Sequence, residues 1–400
     1  MYRLISDLNS TSLVFSTQGL LLDISWNFAM SRRGKELICQ FSVIVFLLYV
    51  LSLEDELQEQ TDQNLTLSAV LGVKQKKIKV IRDKDGHYML SNLTKSWFKG
   101  NQTFPITLNT GFLIQPNKTC PYNRTVDYLI MVNSATDNFE RRLTIRNTFG
   151  QNNLFSHMIH RTVFLLGKTP SVESTQQIKA EALQYNDIIQ GDFHDSYHNL
   201  TLKGIMGLRW INQSCPNLKV IVKIDDDVYV NVFRLLVNWM PKFVTKAPAL
   251  GCELLSKGKS IIYRDKRKKW TVDDNYFHGF DSFPFQHCKG YYVVMTGDLV
   301  APFLEAAKIT PFFWIDDVYL YGLLPLTVGV ERMWKFWRDH TESYSYMMHC
   351  ILTGARKCKF GIFNGDNEFS SERFHNLWSK QLEMLTSKEK EEFHWIGGTN

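Results

Sequence analysis

The run Val220-Ile221-Val222-Lys223-Ile224-Asp225-Asp226-Asp227-Val228-Tyr229-Val230 constrains this chain more than any other segment. Four of the five residues ahead of the acids are β-branched, and such residues fit a buried pleated strand. A strand that ends in three carboxylates sets negative charge at the edge of a sheet. That charge is costly unless a cation neutralises it. A divalent metal carrying a diphosphate would do so through the hard oxygen ligands such ions prefer. Acidic turns after strands are common, so the surrounding residues must decide between that chemistry and a plain turn.

The surroundings repeat a strand–helix pattern. Asp127 to Val132 and Thr162 to Gly167 read as strands, and Asn138 to Phe149 between them reads as a helix. Ser174 to Gln184 reads as a second helix, followed by the short strand Asp187-Ile188-Ile189. Asp195-Ser196 offers an N-cap to a helix carrying Leu202, Ile205, Leu208 and Ile211. A helix from Val232 to Met240 follows the acid-ended strand. Continuously apolar strands alternating with helices predict a mostly parallel α/β sheet covered on both faces. Ligands of such sheets bind at the carboxyl ends of strands, where Asp225 to Asp227 lie.

Ahead of this domain, Ile38 to Leu53 carries no charge. It is a little short of the ~20 residues that usually span a bilayer. Arg32, Arg33 and Lys35 precede it and Glu54, Asp55 and Glu56 follow it, the order that leaves the N-terminus cytosolic. No small-x-small cleavage site follows, so a signal anchor fits better than a cleaved signal peptide. Met30 looks like a natural start for such an anchor, with residues 1–29 coming from an upstream start. Cys39 sits in the apolar run; Cys120, Cys215, Cys252, Cys288, Cys350 and Cys358 follow it, an even set that suggests disulfides in an oxidising lumen with pairing left open. N-glycosylation triplets at Asn64, Asn92, Asn101, Asn117, Asn123, Asn199 and Asn212 fit the same compartment. The net charge of +6 is mild. With no stripe of arginine and aromatic residues, it gives no support for a nucleic-acid partner. The basic run Arg264 to Lys269 reads as a solvated loop.

Several ordered blocks resemble the β-1,3-glycosyltransferases, the galactosyl and N-acetylglucosaminyl type related to Fringe. Arg141-Arg142-Leu143-Thr144-Ile145-Arg146-Asn147-Thr148-Phe149-Gly150 is similar to that family's RRxxIRxTWG block, with Phe149 in place of Trp. Val163 to Gly167 resembles its VFLLG strand. Glu181, Tyr185, Asp187 to Ile189, Asp192-Phe193 and Asp195 to Lys203 follow in the family's order. Cys215 precedes Lys223 to Val228 as the family's Cys precedes KxDDDV. Lys269-Trp270, Tyr276, Cys288 to Gly290 with Met295 to Val300, and Asp316-Asp317-Val318-Tyr319 with Gly322 complete the series.

The resemblance implies a GT-A, Rossmann-like α/β fold: a mostly parallel sheet with helices on both faces, preceded by a single transmembrane helix and a stem. It sets the organisation as a cytosolic tail (1–37), a signal anchor (38–54), a stem (55–124), a luminal catalytic domain (125–385) and a C-terminal tail (386–400). It implies a Golgi type II membrane protein that moves a hexose or N-acetylhexosamine, galactose favoured, from a UDP-sugar to a glycan acceptor on protein or lipid. The link is β-1,3, made with inversion and with Mn²⁺ or Mg²⁺. By the same resemblance Asp227 binds the metal with Asp225 supporting it, Asp226 belongs with the donor site, and Asp317 is the general base. Inversion by direct displacement needs one carboxylate to take the acceptor's proton.

Arg141, Arg142 and Arg146 are candidates for the diphosphate or uracil pocket, since guanidinium suits phosphate; the alternative is a set of structural pairs at a helix surface. Lys203 is a candidate donor contact, and Glu181 and Asp187 read equally as ion-pair partners. Trp270, Phe312, Phe313 and Trp314 read as a sugar-stacking wall or as core. One departure stands out: the family's late His block is matched by Gly365 to Ser371, with Asn367 where the metal-binding His belongs. That departure keeps a second reading open, a weakly active or inactive relative that binds nucleotide or glycan.

Overall fold

The computed structural model describes residues 4–7, 10–17, 20–26, 81–82, 88–89, 92–99 and 111–394, without 246, 336–339, 355–357, 359–360 and 366–368. The anchor expected at 38–54, Cys39, most of the stem and Asn367 lie outside the described residues. Among the described residues no helix is long and apolar enough to cross a membrane.

The chain divides into two compact units, Met1–Lys77 and Ile78–Asn400. In the first, β1 (Leu4–Asp7), β2 (Ser10–Thr17) and β3 (Leu20–Trp26) form an antiparallel sheet in that order. The second opens with the antiparallel pair β4 (Ile81–Arg82) and β5 (Tyr88–Met89).

The second unit is organised by an eight-stranded sheet. In chain order its strands are β6 (Phe112–Ile114), β7 (Val126–Asn133), β8 (His160–Lys168), β9 (Ile188–His194), β10 (Leu218–Asp225), β12 (Leu250–Leu255), β13 (His287–Thr296) and β14 (Met333–Lys335). Their order across the sheet is β14-β12-β13-β10-β7-β8-β9-β6. A smaller sheet joins β11 (Val228–Val230), β16 (Ile362–Asn364) and β15 (His340–Thr341) in that order.

Because side chains alternate across a strand, each central strand feeds both faces. Leu129 and Met131 of β7 and Ile221 of β10 enter one core, with Ile205, Leu208 and Ile211 of the helix Leu200–Ser214. Tyr128, Ile130, Val132, Val220, Val222 and Ile224 enter the other, with Ile145 of the helix Phe139–Arg146 and Phe374 and Leu377 of the helix Ser371–Glu383. This is the two-sided burial the apolar strands predicted.

The sheet is mostly parallel, as the sequence predicted: β14, β12, β10, β7, β8 and β9 all run one way, and β13 and β6 run against them, with Ile224 of β10 opposite Tyr292 of β13. One feature differs from the sequence reading. The segment before residue 125, read as a polar stem, also contributes to the core. Trp97 stacks on Phe285 at 5.2 Å, its carbonyl accepts from Phe277 N–H at 2.6 Å, and β6 adds an antiparallel edge to β9. A few aromatic residues supply the apolar area that the segment's average polarity conceals. Disulfides join Cys120 to Cys215, Cys252 to Cys288 and Cys350 to Cys358. The second ties β12 to β13 close to Gly290.

Candidate active site

The acid turn sits at the carboxyl end of β10. Asp225 pairs in register with Asn133 of β7, so the two strands end together and Ser134 meets the turn. The three carboxylates differ in how they are held. Asp226 is buried and fully engaged: Ser134 Oγ donates at 2.7 Å, Asn138 Nδ2 at 2.9 Å and Arg141 Nη1 at 3.0 Å. Asp227 accepts from the same Arg141 Nη1 at 3.0 Å. Asp225 accepts from Lys223 Nζ at 2.8 Å, and its side chain is 39% exposed.

Burial, and then the charges of Asp225 and Asp226, push Asp227 up to about 6 against the pull of Arg141. Three carboxylates in the turn are met by two cations, Arg141 and Lys223. Among the described residues no group of three or more His, Cys, Asp or Glu side chains gathers as a metal cage. Octahedral Mg²⁺-type ions do not need one, since they are held through one or two carboxylates plus substrate phosphates and water. Asp225 and Asp227 fit that arrangement. Gly365 N–H donates to the Asp227 carbonyl at 2.8 Å, so the late loop expected to supply a third ligand does begin beside Asp227.

β13 brings the second half of the site. Running antiparallel past the end of β10, it sets Gly290 where its carbonyl accepts from Lys223 Nζ at 2.5 Å and its N–H bonds the Asp317 carboxylate. Lys223 is the only charged residue within Val220 to Ile224 and is fully buried. Burial alone would lower its pKa, but Asp225, then Tyr321 and Asp316, outweigh burial and hold the ammonium above the ordinary lysine range. Asp316 and Asp317 open the helical turn Asp316–Val318. Burial raises both; for Asp317 the neighbouring Asp316 charge adds to it and brings the group to about 8. Lys223 and the Gly290 N–H pull the other way. Asp317 is half-buried, less enclosed than Asp316. A carboxylate that holds a proton near neutral pH is a stronger base than an ordinary one.

With the Asp316-Asp317 carboxylates and an acid turn at one end of the sheet, similarity to known proteins becomes informative. A family model described as Galactosyltransferase matches residues 140–334. β-1,3-Galactosyltransferase 1 of Mus musculus is 30% identical over 302 residues, covering 74% of this chain and 87% of the relative. The chain belongs to the galactosyltransferase family. It is a glycosyltransferase. β-1,3-Galactosyltransferase 5 of Homo sapiens is 30% identical over 220 residues, 55% of this chain and 69% of the relative. Similar solved structures include the apo WbbM bifunctional glycosyltransferase, with a TM-score of 0.33 and 12% identity over 69% of this chain and 53% of that one. Apo mouse xyloside xylosyltransferase 1 has a TM-score of 0.29 and 13% identity over 62% of this chain and all of that one.

Within this galactosyltransferase-family enzyme, the contacts separate the alternatives that the sequence left open. Arg142 is fully buried and spends its guanidinium on Glu181, through two bonds of 2.8 Å, and on Ser134 Oγ and the carbonyls of Ala135 and Thr136. Arg146 grips Asp187 at 2.7 and 2.8 Å and Glu181 at 2.6 Å, with the Phe164 and Tyr185 rings on it. Both arginines are thus structural pairs rather than donor contacts, and Asp226 is an anchor for the loop after β7. Lys203 is buried as well. Its Nζ donates to Asp195 at 2.8 Å and to the Ser134 carbonyl at 2.7 Å, which fixes the loop that holds Asp226. Arg142→Ala would leave Glu181 buried beside a vacated partner. A cost of about 3–5 kcal/mol is expected, read as a fall in the thermal midpoint.

Of the aromatic wall, Phe313 is core, packed on Phe277 at 5.3 Å, and Phe312 lies against Tyr319. Trp270 and Trp314 do meet, around Tyr197: Trp270 Nε1 donates to Tyr197 Oη at 2.6 Å, and the Trp314 ring lies 6.2 Å from Tyr197. Burial first, and also the charges of Asp317, Asp316 and Asp225, lift the Tyr197 phenol to about 12, so this exposed cluster stands beside the candidate base. A separate surface cavity of about 490 Å³ lies at Gln115 to Cys120 and is lined by none of these groups.

The sequence reading named neither Gly290 nor Lys223 nor Tyr197 as a site residue. Lys223 did carry a signal, as a lone cation inside an apolar strand. Its removal should be visible in the pH profile. Lys223 holds Asp317 down, so in Lys223→Met the rising limb of kcat/KM is expected to move roughly one pH unit upward. Activity lost at pH 7 should then return in part at pH 9. A limb that stays in place would show that Lys223 does not act on the base.

Proposed function

We propose that this enzyme transfers galactose, or an N-acetylhexosamine, from its UDP-sugar to a glycan hydroxyl in β-1,3 linkage with inversion. The observation that carries the reading is the pair of carboxylate groups gathered at one end of the sheet. Asp317 is half-buried beside Gly290; Asp225 and Asp227 stand at the end of β10, and Lys223 lies between the two sets. The names of the β-1,3-galactosyltransferase relatives support the donor and the linkage.

Asp317 accepts the acceptor hydroxyl's proton as its oxygen forms the new bond to the sugar's C1, and the bond from C1 to the diphosphate breaks on the opposite face. UDP leaves with the electron pair of that bond. Asp225 and Asp227 would hold a Mn²⁺ or Mg²⁺ ion, which when bound stabilises the charge growing on the diphosphate. Trp270, Tyr197 and Trp314 offer faces on which the acceptor sugar stacks. Trp270→Ala is expected to raise the acceptor KM roughly tenfold with donor KM unchanged. Equal loss for donor and acceptor would place Trp270 outside acceptor binding.

The expected setting is the Golgi membrane, as a type II protein with this unit in the lumen; the apolar run Ile38 to Leu53 and the sequons that follow it support the reading. The test is the full chain incubated with a panel of UDP-sugars and simple β-glycosides, with and without Mn²⁺. Transfer from UDP-galactose to a 3-hydroxyl, lost on chelation, is expected. Transfer unaffected by chelation would overturn the metal assignment, and products linked elsewhere would overturn the linkage.

A further inference from the structure

Arg141 treats the acid turn much as a metal ion would. One nitrogen, Nη1, lies 3.0 Å from Asp226 Oδ1 and 3.0 Å from Asp227 Oδ2. The guanidinium also covers the Phe369 ring, 4.7 Å from its centroid. Of the three arginines on its helix, Arg141 alone retains substantial exposure, 28% of its side chain against 0% for Arg142 and 9% for Arg146. It therefore has both a pivot and room to move.

We propose that Arg141 makes metal and donor binding interdependent. In the free enzyme it caps Asp227; when metal and nucleotide arrive together it leaves Asp227, keeps Asp226 as its pivot, and passes its charge to the donor diphosphate. The inference rests on the reading of Asp225 and Asp227 as the metal-holding residues. Its physical basis is charge. A dication on Asp227 and a guanidinium on the same carboxylate repel one another at a few ångströms. A diphosphate brings enough negative charge for both, and guanidinium binds phosphate oxygens in a forked geometry. Metal without nucleotide meets a resident cation, and nucleotide without metal can draw Arg141 onto its phosphates only by leaving Asp227 without its counter-ion. Each ligand then strengthens the other by the same factor, as linkage requires. Asp226 is suited to be the pivot because Ser134 and Asn138 already fix its other oxygen.

The test measures binding rather than turnover. Mn²⁺ alone, and UDP with and without Mn²⁺, are titrated calorimetrically into the full chain, its Arg141→Gln variant and its Arg141→Lys variant. Arg141→Gln is expected to bind Mn²⁺ alone about tenfold more tightly and UDP in the presence of Mn²⁺ about tenfold more weakly. Arg141→Lys, which keeps the charge and loses the fork, should leave Mn²⁺ affinity near that of the parent and still weaken UDP. A purely structural loss would weaken both ligands together, and that result, or unchanged Mn²⁺ affinity in Arg141→Gln, overturns the proposal. Should Arg141→Gln fail to fold, the Arg141→Lys pattern decides alone: equal weakening of Mn²⁺ and UDP rejects the coupling. A parent protein that binds UDP identically with and without Mn²⁺ would instead remove the metal reading underneath it.

Discussion

Replacing Asp317 by Asn is expected to lower kcat for sugar transfer by roughly 10²–10⁴-fold while UDP binding in Mn²⁺ stays within about twofold. The amide keeps the size of the carboxylate and an oxygen that can still accept the Gly290 N–H, so the local fold has little reason to change. What it loses is the ability to take a proton. In the proposed arrangement donor binding belongs to the other carboxylate group, at the end of β10, and is not touched by the exchange. The parent enzyme's pH profile gives the same assignment a second check. Asp317 is raised to about 8. As an acid whose folded pKa lies above its ordinary value, it is protonated and inactive as a base below that region. Acceptor kcat/KM should therefore climb as pH rises toward 8, and the climb should vanish from the residual activity of Asp317→Asn. Steady-state kinetics with a β-glycoside acceptor and calorimetric titration of UDP read both halves. If Asp317→Asn retains transfer within threefold of the parent, the base is another group.

How much of this was visible beforehand follows from what a sequence pattern can encode. The central strands were legible because a run such as Val220 to Ile224 has few other ways to bury itself, and the acids that follow mark its carboxyl end. The proposal of Asp317 as base came only through the order of the blocks, since Asp316-Asp317 alone reads as a helix cap. The arginine helix shows the limit. Arg141, Arg142 and Arg146 are chemically identical, and what separates them is which side of one short helix they leave from. Arg142 and Arg146 point at Glu181 and Asp187, while Arg141 points at the acid turn. Likewise Asp226 and Asp227 are neighbours in sequence with different surroundings, because consecutive residues of a turn leave the backbone in different directions. The direction of β13 was hidden for another reason. Its apolar run reads the same from either end, and only the pairing of Ile224 with Tyr292 shows that it enters against β10.

That antiparallel entry makes Gly290 the position where the smallest change should do the most damage. A Cβ built on Gly290 would stand 1.8 Å from Asp317 Oδ1 and 2.9 Å from its Cγ, separations that real side chains do not tolerate. Either the Asp317 carboxylate swings away or β13 shifts. If it swings away, the protein keeps most of its stability and the base leaves its place; a misplacement of about 1 Å can cost roughly 10²-fold in rate. If β13 shifts, overpacking adds a stability loss of about 1–3 kcal/mol, and the Lys223 contact to the Gly290 carbonyl is disturbed as well. Gly290→Ala is therefore expected to reduce kcat by roughly 10²-fold or more in both cases, and the thermal midpoint tells the two apart. The double variant Gly290→Ala, Asp317→Asn provides the decisive comparison. If the alanine acts by displacing the base, it should add almost nothing once the base is gone, because groups that share one function are strongly non-additive. Independent, multiplying losses in that cycle would mean that Gly290 serves the site through something other than Asp317.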